Sequence, residues 1–347
     1  MNQAHGAMPW RNTILVGDAR TQLRAMPAAS VDTVITSPPY FGLRNYGHGD
    51  QIGSEGDVEG WVSQLRAVMA EVARVLKSSG SVWLNVGDGY SRHPREGAAR
   101  KSLLLGPERL ALALLEDGWL LRNKVIWAKT NPMPSSVRDR LSTTHEVIYL
   151  MTRSPAYFFD LGAIRVPHRS PGQPQQASAA GRTYPPPASL MMTGANPRTN
   201  PNGGLGTMRV RGVVGHPDGA NPGDLWRLAT AGYREAHFAT FPVALVERPL
   251  LATCPERVCA ACGMPWLRER KRGDGPHGGT LRPGCSCNAA SRPGIVLDPF
   301  MGAGTVALAA ERHNRDWVGV EPNPAYAAMA EARIRRWWDA AGEGEAA

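Results

Sequence analysis

The sequence lacks any run of about 18 apolar residues, the length that a membrane-spanning helix requires. It also lacks the apolar core of a secretory signal peptide, because its first residues read MNQAHGAMPWRN. For these 347 residues we therefore expect a cytoplasmic protein with no membrane partner, in a compartment where thiols stay reduced.

Lysine is scarce, since only five of the 39 basic residues are lysine, although the formal net charge is +9. Nearly all of the positive charge is therefore arginine, whose planar guanidinium binds phosphates and guanine edges through paired hydrogen bonds. A GC-rich genome would also favour arginine codons over lysine codons. The charge is compatible with nucleic-acid binding but does not establish it.

Cysteine is absent outside one short stretch, because all five cysteines lie between Cys254 and Cys287. Such clustering under reducing conditions favours a metal site over a disulfide framework. Two cysteines separated by two residues form a knuckle, and after 22 more residues comes a second pair separated by one residue. Four thiolates make a closed, tetrahedral, structural zinc site. The predicted ligands are Cys259, Cys262, Cys285 and Cys287.

The ligand set stays open in two respects. Cys254 is left over, and His277 could replace one of the four cysteines. The alternative interpretation is a surface loop that carries reduced, free thiols.

Strand and helix patterns alternate along the first half of the chain. Apolar residues recur at helical spacing from Trp61 to Leu76, and we expect this helix to end at Gly80. The alternation predicts a mostly parallel sheet that is covered on both faces. Further strands are expected at residues 12–18, 30–36, 81–88, 120–130 and 144–153, and a further helix at 106–117.

The pattern is lost between about residues 165 and 223, which are rich in Pro, Gly, Asn and Ser. No hydrophobic period survives there, so we expect a loop-rich insert. The chain then ends with a strand, a glycine loop, a helix, a strand and a helix.

The strand near residue 31 runs directly into Ser37-Pro38-Pro39-Tyr40. Proline has no N–H to donate to a neighbouring strand, so two prolines in succession end the strand and make its tip rigid. Taken alone, this tetrapeptide is equally well explained as a turn with a surface tyrosine.

Residues 302–307, GAGTVA, match the G-x-G-x-x-G/A nucleotide-binding pattern between a strand and a helix. Glu321 stands 19 residues later, at the tip of the next strand, where a carboxylate can bind ribose hydroxyls. A tight turn with no ligand is the alternative. S-adenosylmethionine is favoured over NAD because no second mononucleotide-binding half follows this unit. In addition, Asp298 can reach the amino group of a methionine moiety, and Phe300 can pack on adenine.

TSPPY at residues 36–40 and DPFMGAGT at residues 298–305 together resemble the motifs of the amino-directed DNA methyltransferases, which modify cytosine N4 or adenine N6. The catalytic motif precedes the cofactor loop, and this order resembles the beta group of the family. Segments at residues 14–18, 126–160 and 237–250 are similar to further motifs of the family.

The resemblance covers most of residues 12–164 and 224–337. It implies an α/β protein with a permuted Rossmann-like, S-adenosylmethionine-dependent methyltransferase sheet, a loop-rich recognition insert and a small zinc-knuckle insert. The domains it implies are a catalytic half at 10–164, a target-recognition insert at 165–223, a cofactor-binding half at 224–253 and 289–338, and a zinc-binding insert at 254–288.

The resemblance also implies a mechanism at the SPPY tip. The amino nitrogen of a base is a poor nucleophile, and acceptors placed at its two hydrogens help it to attack. The Ser37 side chain and the Pro38 carbonyl are the expected acceptors, Pro39 helps to fix the backbone, and Tyr40 stacks on the flipped base. Transfer is then direct and in line. In agreement, the sequence has no Pro-Cys pair to serve as a cytosine-C5 nucleophile.

The cofactor residues follow from the same resemblance. Asp18 is expected to contact adenine or, equally, only to cap a helix. Core packing is an alternative role for the phenylalanines at the methionine end, Phe238 and Phe241. The predicted cofactor-binding residues are Asp18, His237, Phe238, Thr240, Asp298, Phe300, Gly302, Gly304, Thr305 and Glu321.

Family members with Ser before Pro-Pro-Tyr usually methylate cytosine N4, and those with Asp or Asn usually methylate adenine N6, with exceptions. Ser37 therefore favours a site-specific cytosine-N4 enzyme that acts on double-stranded DNA in a bacterial or phage-infected cell. An adenine-N6 enzyme, a non-catalytic zinc-ribbon DNA-binding protein and a nicotinamide enzyme remain alternatives. A homodimer and a cognate restriction endonuclease are further partners that the resemblance allows.

Overall fold

The computed structural model describes residues 9–43, 51–167, 218–231, 241–269 and 278–344. The chain forms two compact units. The larger unit comprises Met1–Asp160, Gly223–Arg268 and Leu281–Ala347, and the smaller unit comprises Leu161–Pro222 and Glu269–Thr280. Most of the predicted recognition insert lies outside the described residues, and so does His277.

Strands and helices alternate in the larger unit, as the sequence pattern predicts. The strands, in chain order, are β1 (Thr13–Val16), β2 (Val31–Thr36), β3 (Leu76–Val86), β4 (Leu120–Lys129), β5 (His145–Thr152), β6 (Leu225–Leu228), β7 (Val258–Cys259), β8 (Trp266–Glu269), β9 (Thr280–Pro283), β10 (Ser291–Arg292), β11 (Ile295–Asp298) and β12 (Asp316–Glu321). The α-helices are α1 (Ala19–Ala25), α2 (Val58–Val75), α3 (Gly106–Glu116), α4 (Val243–Thr253), α5 (Thr305–Arg312) and α6 (Pro324–Gly344).

Eight strands form the central sheet, in the order β1-β12-β11-β2-β3-β5-β4-β6. Every neighbouring pair is parallel except β3–β5 and β4–β5, so β5 alone runs against the other strands of this sheet. The prediction of a mostly parallel α/β sheet is confirmed.

Helices cover both faces of this sheet and bury two separate apolar clusters. On one face, α1, α2 and α3 contribute Leu23, Trp61 and Leu110 to the first cluster. On the other face, α4, α5 and α6 contribute Leu250, Val306 and Ala330 to the second. A sheet that is buried on both sides explains why its strands read as continuous apolar runs rather than alternating ones.

The boundary between α2 and β3 differs from the expected one. The helix ends at Val75 rather than at Gly80, and Gly80 lies inside β3. A Cβ atom at Gly80 would lie 2.5 Å from Leu76 Cδ1 and 2.7 Å from the carbonyl oxygen of Asp32. Gly80 is therefore explained by the close approach of β2 and β3, whose register shifts at this point, and not by a helix cap.

The carboxyl ends of the parallel strands meet at one edge of the sheet, and β5 begins at this edge because it runs the opposite way. This edge collects polar residues from six strands. They are Asp18 after β1, Ser37 after β2, Lys129 at the end of β4, Glu146 at the start of β5, Asp298 at the end of β11 and Glu321 at the end of β12.

No helix in the described part of the chain has both the length and the apolar character that are needed to cross a membrane.

Gly319 provides a test of how β12 supports the glycine loop. A Cβ atom at Gly319 would lie 1.8 Å from Met301 Sδ and 2.8 Å from Met301 Cγ. We expect Gly319→Ala to lower the free energy of unfolding by about 1–3 kcal/mol, because Met301 must leave its buried position. Urea denaturation measures this loss.

Gly223→Ala is the matched control, because no atom lies within 4 Å of a Cβ at Gly223. Equal denaturation midpoints for the two variants would contradict the proposed contact.

Candidate active site

The SPPY tip is held from two sides. The buried Trp61 of α2 donates a hydrogen bond from Nε1 to the Pro39 carbonyl oxygen, at 2.9 Å. The Tyr40 ring lies against Gly87, where a Cβ atom would lie 2.6 Å from Tyr40 Cε2. The two prolines restrict the backbone further, so the tip is rigid before any ligand binds.

The Ser37 and Tyr40 hydroxyls belong to a hydrogen-bonded network with two residues from β3 and β5. Ser37 Oγ lies 3.1 Å from Tyr40 Oη, which donates to Glu146 Oε2 at 2.7 Å. Asn85 Nδ2 donates to Tyr40 Oη at 2.9 Å, to Glu146 Oε2 at 2.9 Å and to Ser37 Oγ at 3.3 Å. Lys129 Nζ lies 2.5 Å from Glu146 Oε1. Residues at the ends of four strands, β2, β3, β4 and β5, therefore form one network that includes Ser37.

The Asp298 carboxyl joins the glycine loop to the SPPY strand. Its Oδ1 accepts from Thr36 Oγ1 at 2.7 Å and from the Phe300 N–H at 3.1 Å. Asp298 is only 1% exposed, and its burial raises its pKa to about 7, with the Glu321 carboxylate adding to the shift. Asp298 Oδ2 is buried and has no hydrogen-bond partner among the described residues.

The glycine loop turns through two left-handed positions, Gly302 at φ +50° and Gly304 at φ +73°. Glycine adopts this conformation at little cost. The Gly302 N–H donates to Glu321 Oε2 at 2.9 Å, so the acid at the end of β12 holds the loop. A Cβ atom at Gly304 would press on Ala330 at 3.0 Å, whereas at Gly302 it would meet no atom within 4 Å.

The Thr305 side chain is bonded within the protein. It is buried, and its Oγ1 accepts from Arg333 Nη1 at 3.0 Å. Arg333 also donates to the Ala303 carbonyl oxygen at 2.9 Å. The Arg333 guanidinium, on α6, therefore stabilises the glycine loop through two hydrogen bonds. The sequence analysis did not identify this residue.

The other expected cofactor residues have different settings. Asp18 caps α1, since its Oδ1 accepts from the Thr21 N–H and Oγ1, each at 2.9 Å. Phe300 is half-buried and packs against the first apolar cluster. The predictions at His237, Phe238 and Thr240 lie outside the described residues.

This edge fits a cofactor with both an ammonium group and a nucleoside. Asp298 Oδ2 is a buried acceptor with free lone pairs, and burying such an atom without a partner is costly. The space over Gly302 lets a ligand approach the backbone. Glu321 lies at the tip of the next strand, where its carboxylate accepts from the N–H groups of Gly302 and Asn323.

Four cysteine thiols form a separate cluster in the larger unit. The Sγ atoms of Cys259, Cys262, Cys285 and Cys287 all lie within 4.8 Å of one another. A tetrahedral zinc site with Zn–S bonds of about 2.3 Å requires S–S distances of about 3.8 Å. Backbone N–H groups of the knuckle, led by that of Cys262, lower the pKa of the Cys259 thiol to about 7. The cluster is therefore compatible with a bound metal ion.

The cysteine cluster is attached to the opposite edge of the sheet. Lys77 Nζ, at the start of β3, donates to the Gly263 carbonyl oxygen of the knuckle at 3.2 Å and to Asp32 Oδ1 at 2.6 Å. Asp32 also accepts from the Ile295 N–H at 2.9 Å. Asp32 lies near the start of β2, and Ser37 follows its last residue, five positions later. Five residues of a strand separate the two positions by about 16 Å. The cluster therefore does not line the active site.

Asn85 and Glu146 are the main residues of the site that the sequence analysis missed. The segment around His145-Glu146 was identified as a family feature without a chemical role. The available signal was that both residues lie at strand ends, but the antiparallel direction of β5 was needed to place Glu146 at this edge.

Known proteins share both the sequence and the fold. A profile of the N6_N4_Mtase family, described as DNA methylase, matches residues 31–332. The type II methyltransferase M.XycI of Xanthomonas campestris pv. cyanopsidis is 33% identical over 93% of this chain and 88% of its own length. The type II methyltransferase M.SmaI of Serratia marcescens is 32% identical over 93% and 90%, respectively.

Two solved structures have a similar fold. The cytosine-N4-specific PvuII DNA methyltransferase matches with a TM-score of 0.52 at 17% identity, over 92% of this chain and 84% of its own. A Thermus thermophilus protein, provisionally named a DNA modification methylase and solved with S-adenosyl-L-methionine, matches with a TM-score of 0.51 at 23% identity, over 94% and 93%. The family match and the full-length relatives, together with the tip and the loop on adjacent strands, show that this chain belongs to the amino-directed N6/N4 DNA methylase family and is a DNA methyltransferase.

Proposed function

We propose that the chain transfers a methyl group from S-adenosylmethionine to the exocyclic N4 of a flipped cytosine in a specific sequence of double-stranded DNA. The observation that carries this proposal is the 2.7 Å hydrogen bond from Thr36 Oγ1 to Asp298 Oδ1. It holds the SPPY tip and the glycine loop side by side on neighbouring strands, as direct transfer between two bound ligands requires.

The cofactor would lie along the glycine loop. S-adenosylmethionine supplies a methyl group on a positively charged sulfur. Asp298 Oδ2 binds the ammonium of the methionine moiety, and Phe300 packs on adenine. Glu321 accepts from the ribose hydroxyls while it keeps its bond to the loop, and Gly302 leaves room for the ligand to approach. The methylase of Thermus thermophilus solved with S-adenosyl-L-methionine supports this choice of cofactor.

The target base would lie against the SPPY tip. Ser37 Oγ and the Pro38 carbonyl accept the two amino hydrogens, which favours rehybridisation of the nitrogen as it attacks. The duplex hides this nitrogen, so the base is flipped out of the helix before transfer. A serine before Pro-Pro-Tyr favours cytosine over adenine, and the printed specificity of the PvuII enzyme agrees with this choice.

The biological setting follows from the relatives. Their names as type II methyltransferases support a modification enzyme that works beside a cognate restriction endonuclease in the bacterial cytoplasm. The arginine-rich chain supplies positive charge for the DNA phosphates. A homodimer remains part of the proposal.

The cysteine cluster would hold one structural zinc ion. Four thiolates complete a tetrahedral shell and leave no position for water or substrate, so such a site stabilises the fold and has no part in the chemistry. The attachment through Lys77 to the amino-terminal edge of the sheet supports this role.

The product distinguishes the candidate functions. We expect DNA from a methylation-deficient host expressing the protein to contain N4-methylcytosine, measured by mass spectrometry of digested nucleosides. Ser37→Ala should lower methyl transfer in vitro by about 100-fold with unchanged cofactor affinity, because it removes one acceptor. N6-methyladenine would replace the cytosine assignment with the adenine alternative. Neither product, from folded and zinc-loaded protein, would favour the DNA-binding alternative.

Cofactor affinity should depend on pH through Asp298, whose pKa is raised to about 7. Its carboxyl is mostly protonated at pH 6 and mostly ionised at pH 7.5, while the ligand ammonium stays largely charged. Calorimetry should therefore show S-adenosylmethionine binding about five- to tenfold tighter at pH 7.5 than at pH 6. In Asp298→Asn this dependence should be lost. Equal wild-type affinity at both pH values would contradict the role of Asp298.

Zinc content tests the cysteine cluster. We expect wild-type protein to carry one zinc ion per chain, measured by elemental mass spectrometry, and Cys262→Ser to carry none. The thermal midpoint of the variant should fall by about 5 °C, because metal binding contributes directly to folding. Cofactor affinity should change less than twofold, because the cluster and the active site lie at opposite edges.

Cys254→Ala is the matched control for zinc loss. Cys254 is buried in the second apolar cluster and lies outside the four-thiol cluster, so this variant should lose stability but keep its zinc. Full zinc loading of Cys262→Ser, or zinc-free wild-type protein, would contradict the metal site.

A further inference from the structure

The residues around Ser37 form a continuous chain of hydrogen bonds that leads away from the SPPY tip. Ser37 Oγ lies 3.1 Å from Tyr40 Oη, and Tyr40 Oη lies 2.7 Å from Glu146 Oε2. All three side chains are partly buried. A chain of this kind can move a proton without moving any heavy atom, because each hydroxyl accepts one proton and passes on another.

The donors and acceptors in this chain have one consistent direction. Tyr40 has a single hydroxyl hydrogen, which it donates to the Glu146 carboxylate. In the contact between Ser37 and Tyr40 the hydrogen must then come from Ser37. One lone pair of Ser37 Oγ then stays available for an amino hydrogen of the target base, because Asn85 Nδ2 donates to the other. Asn85 Nδ2 lies within hydrogen-bond distance of all three oxygens and shares its two hydrogens among them, which helps to hold the three side chains in place.

Hydrogen-bond donors surround the carboxyl group of Glu146. Every hydrogen-bond partner found at its side-chain oxygens is a donor: Tyr40 Oη and Asn85 Nδ2 at Oε2, and Lys129 Nζ at Oε1. Its side chain is 15% exposed and that of Lys129 is 22% exposed. Glu146 Oε2 lies at the end of the chain and is the atom that a proton from Tyr40 would reach, and the partial exposure of Glu146 lets that proton pass on to water.

The reaction needs such an acceptor. When the amino nitrogen attacks the sulfonium methyl group, a nitrogen–carbon bond forms and the carbon–sulfur pair remains on sulfur. The nitrogen must then lose one proton. A proline carbonyl accepts a hydrogen bond but cannot keep the proton, and Ser37 can accept one only by releasing its own.

We propose that Glu146 is the terminal proton acceptor of methyl transfer, reached through Ser37 and Tyr40. The proton leaves the amino nitrogen for Ser37 Oγ, the Ser37 proton moves to Tyr40 Oη, and the Tyr40 proton moves to Glu146 Oε2. The products are the methylated base, the thioether form of the cofactor and a protonated Glu146. This proposal rests on the proposed methyl transfer but holds for either target base.

A purely mechanical role for Glu146 would be to orient the Tyr40 ring. Glu146→Gln separates the two roles, because its amide oxygen still accepts from Tyr40 but does not hold a proton near neutral pH. Tyr40→Phe keeps the ring and removes the middle of the chain. We expect each variant to lower the single-turnover rate of methyl transfer by about 100-fold, the scale of general-base catalysis.

The pattern of effects is more diagnostic than their size. Cofactor and DNA dissociation constants, together with the thermal midpoint, should stay close to the wild-type values in Glu146→Gln. The double variant should be no slower than either single variant, because both interrupt one chain. Formate should restore at least tenfold activity to Glu146→Ala, where it can occupy the space left by the carboxylate.

Glu108→Gln is the matched control. Glu108 also pairs with a lysine of β4, with Lys124 Nζ at 2.6 Å, but lies on α3 outside the network, so its rate should stay unchanged. A wild-type rate in Glu146→Gln would overturn the relay while leaving the methyltransferase assignment intact, and so would losses that multiply in the double variant. A wild-type protein that transfers no methyl group to DNA would overturn both.

Discussion

The hydrogen bond between Thr36 and Asp298 joins two segments that are 262 residues apart in the chain. The backbone ladder between β2 and β11 pairs only Thr33 with Val296 and Val34 with Leu297. Where this ladder ends, the side-chain bond continues the contact to the edge of the sheet. Because Asp298 is buried and half-satisfied, it both holds the SPPY strand in place and keeps one oxygen for a ligand. The geometry of the whole site depends on this shared carboxyl group.

Asp32 and Asp298 are buried carboxyl groups at opposite ends of the paired strands β2 and β11, and they differ in how their oxygens are satisfied. Asp32 has partners on both oxygens, Lys77 and the Ile295 N–H, and Lys77 in turn connects the cysteine cluster to the sheet. Within the described part of the chain, Asp298 has partners on one oxygen only. A satisfied buried carboxylate contributes to the fold, whereas an unsatisfied one costs free energy that a bound ligand can recover. This difference supports a structural role at the amino-terminal edge and a binding role at the carboxyl edge.

The antiparallel direction of β5 in the central sheet has a chemical consequence. In an all-parallel sheet, His145 and Glu146 would lie at the amino-terminal edge, a full strand away from Ser37. Because β5 runs against its neighbours, its first residues lie among the last residues of β3 and β4. The Glu146 carboxylate, at the start of β5, thereby reaches the Tyr40 hydroxyl, which follows the end of β2. The site thereby gains a carboxylate within hydrogen-bond distance of Tyr40 at the SPPY tip.

The fold class, the order of the two motifs, the family and the clustering of the cysteines could all be predicted from the sequence. These properties follow from local chemistry: apolar runs, paired prolines, a glycine loop and closely spaced thiols. The tertiary fold determines which partners Asn85, Glu146 and Arg333 contact, because each partner is distant in the chain. It also decided where α2 ends, since the approach of β2 to Gly80 overrides the helical pattern. Local patterns predict elements, but strand direction and side-chain contact across the sheet decide which residues meet.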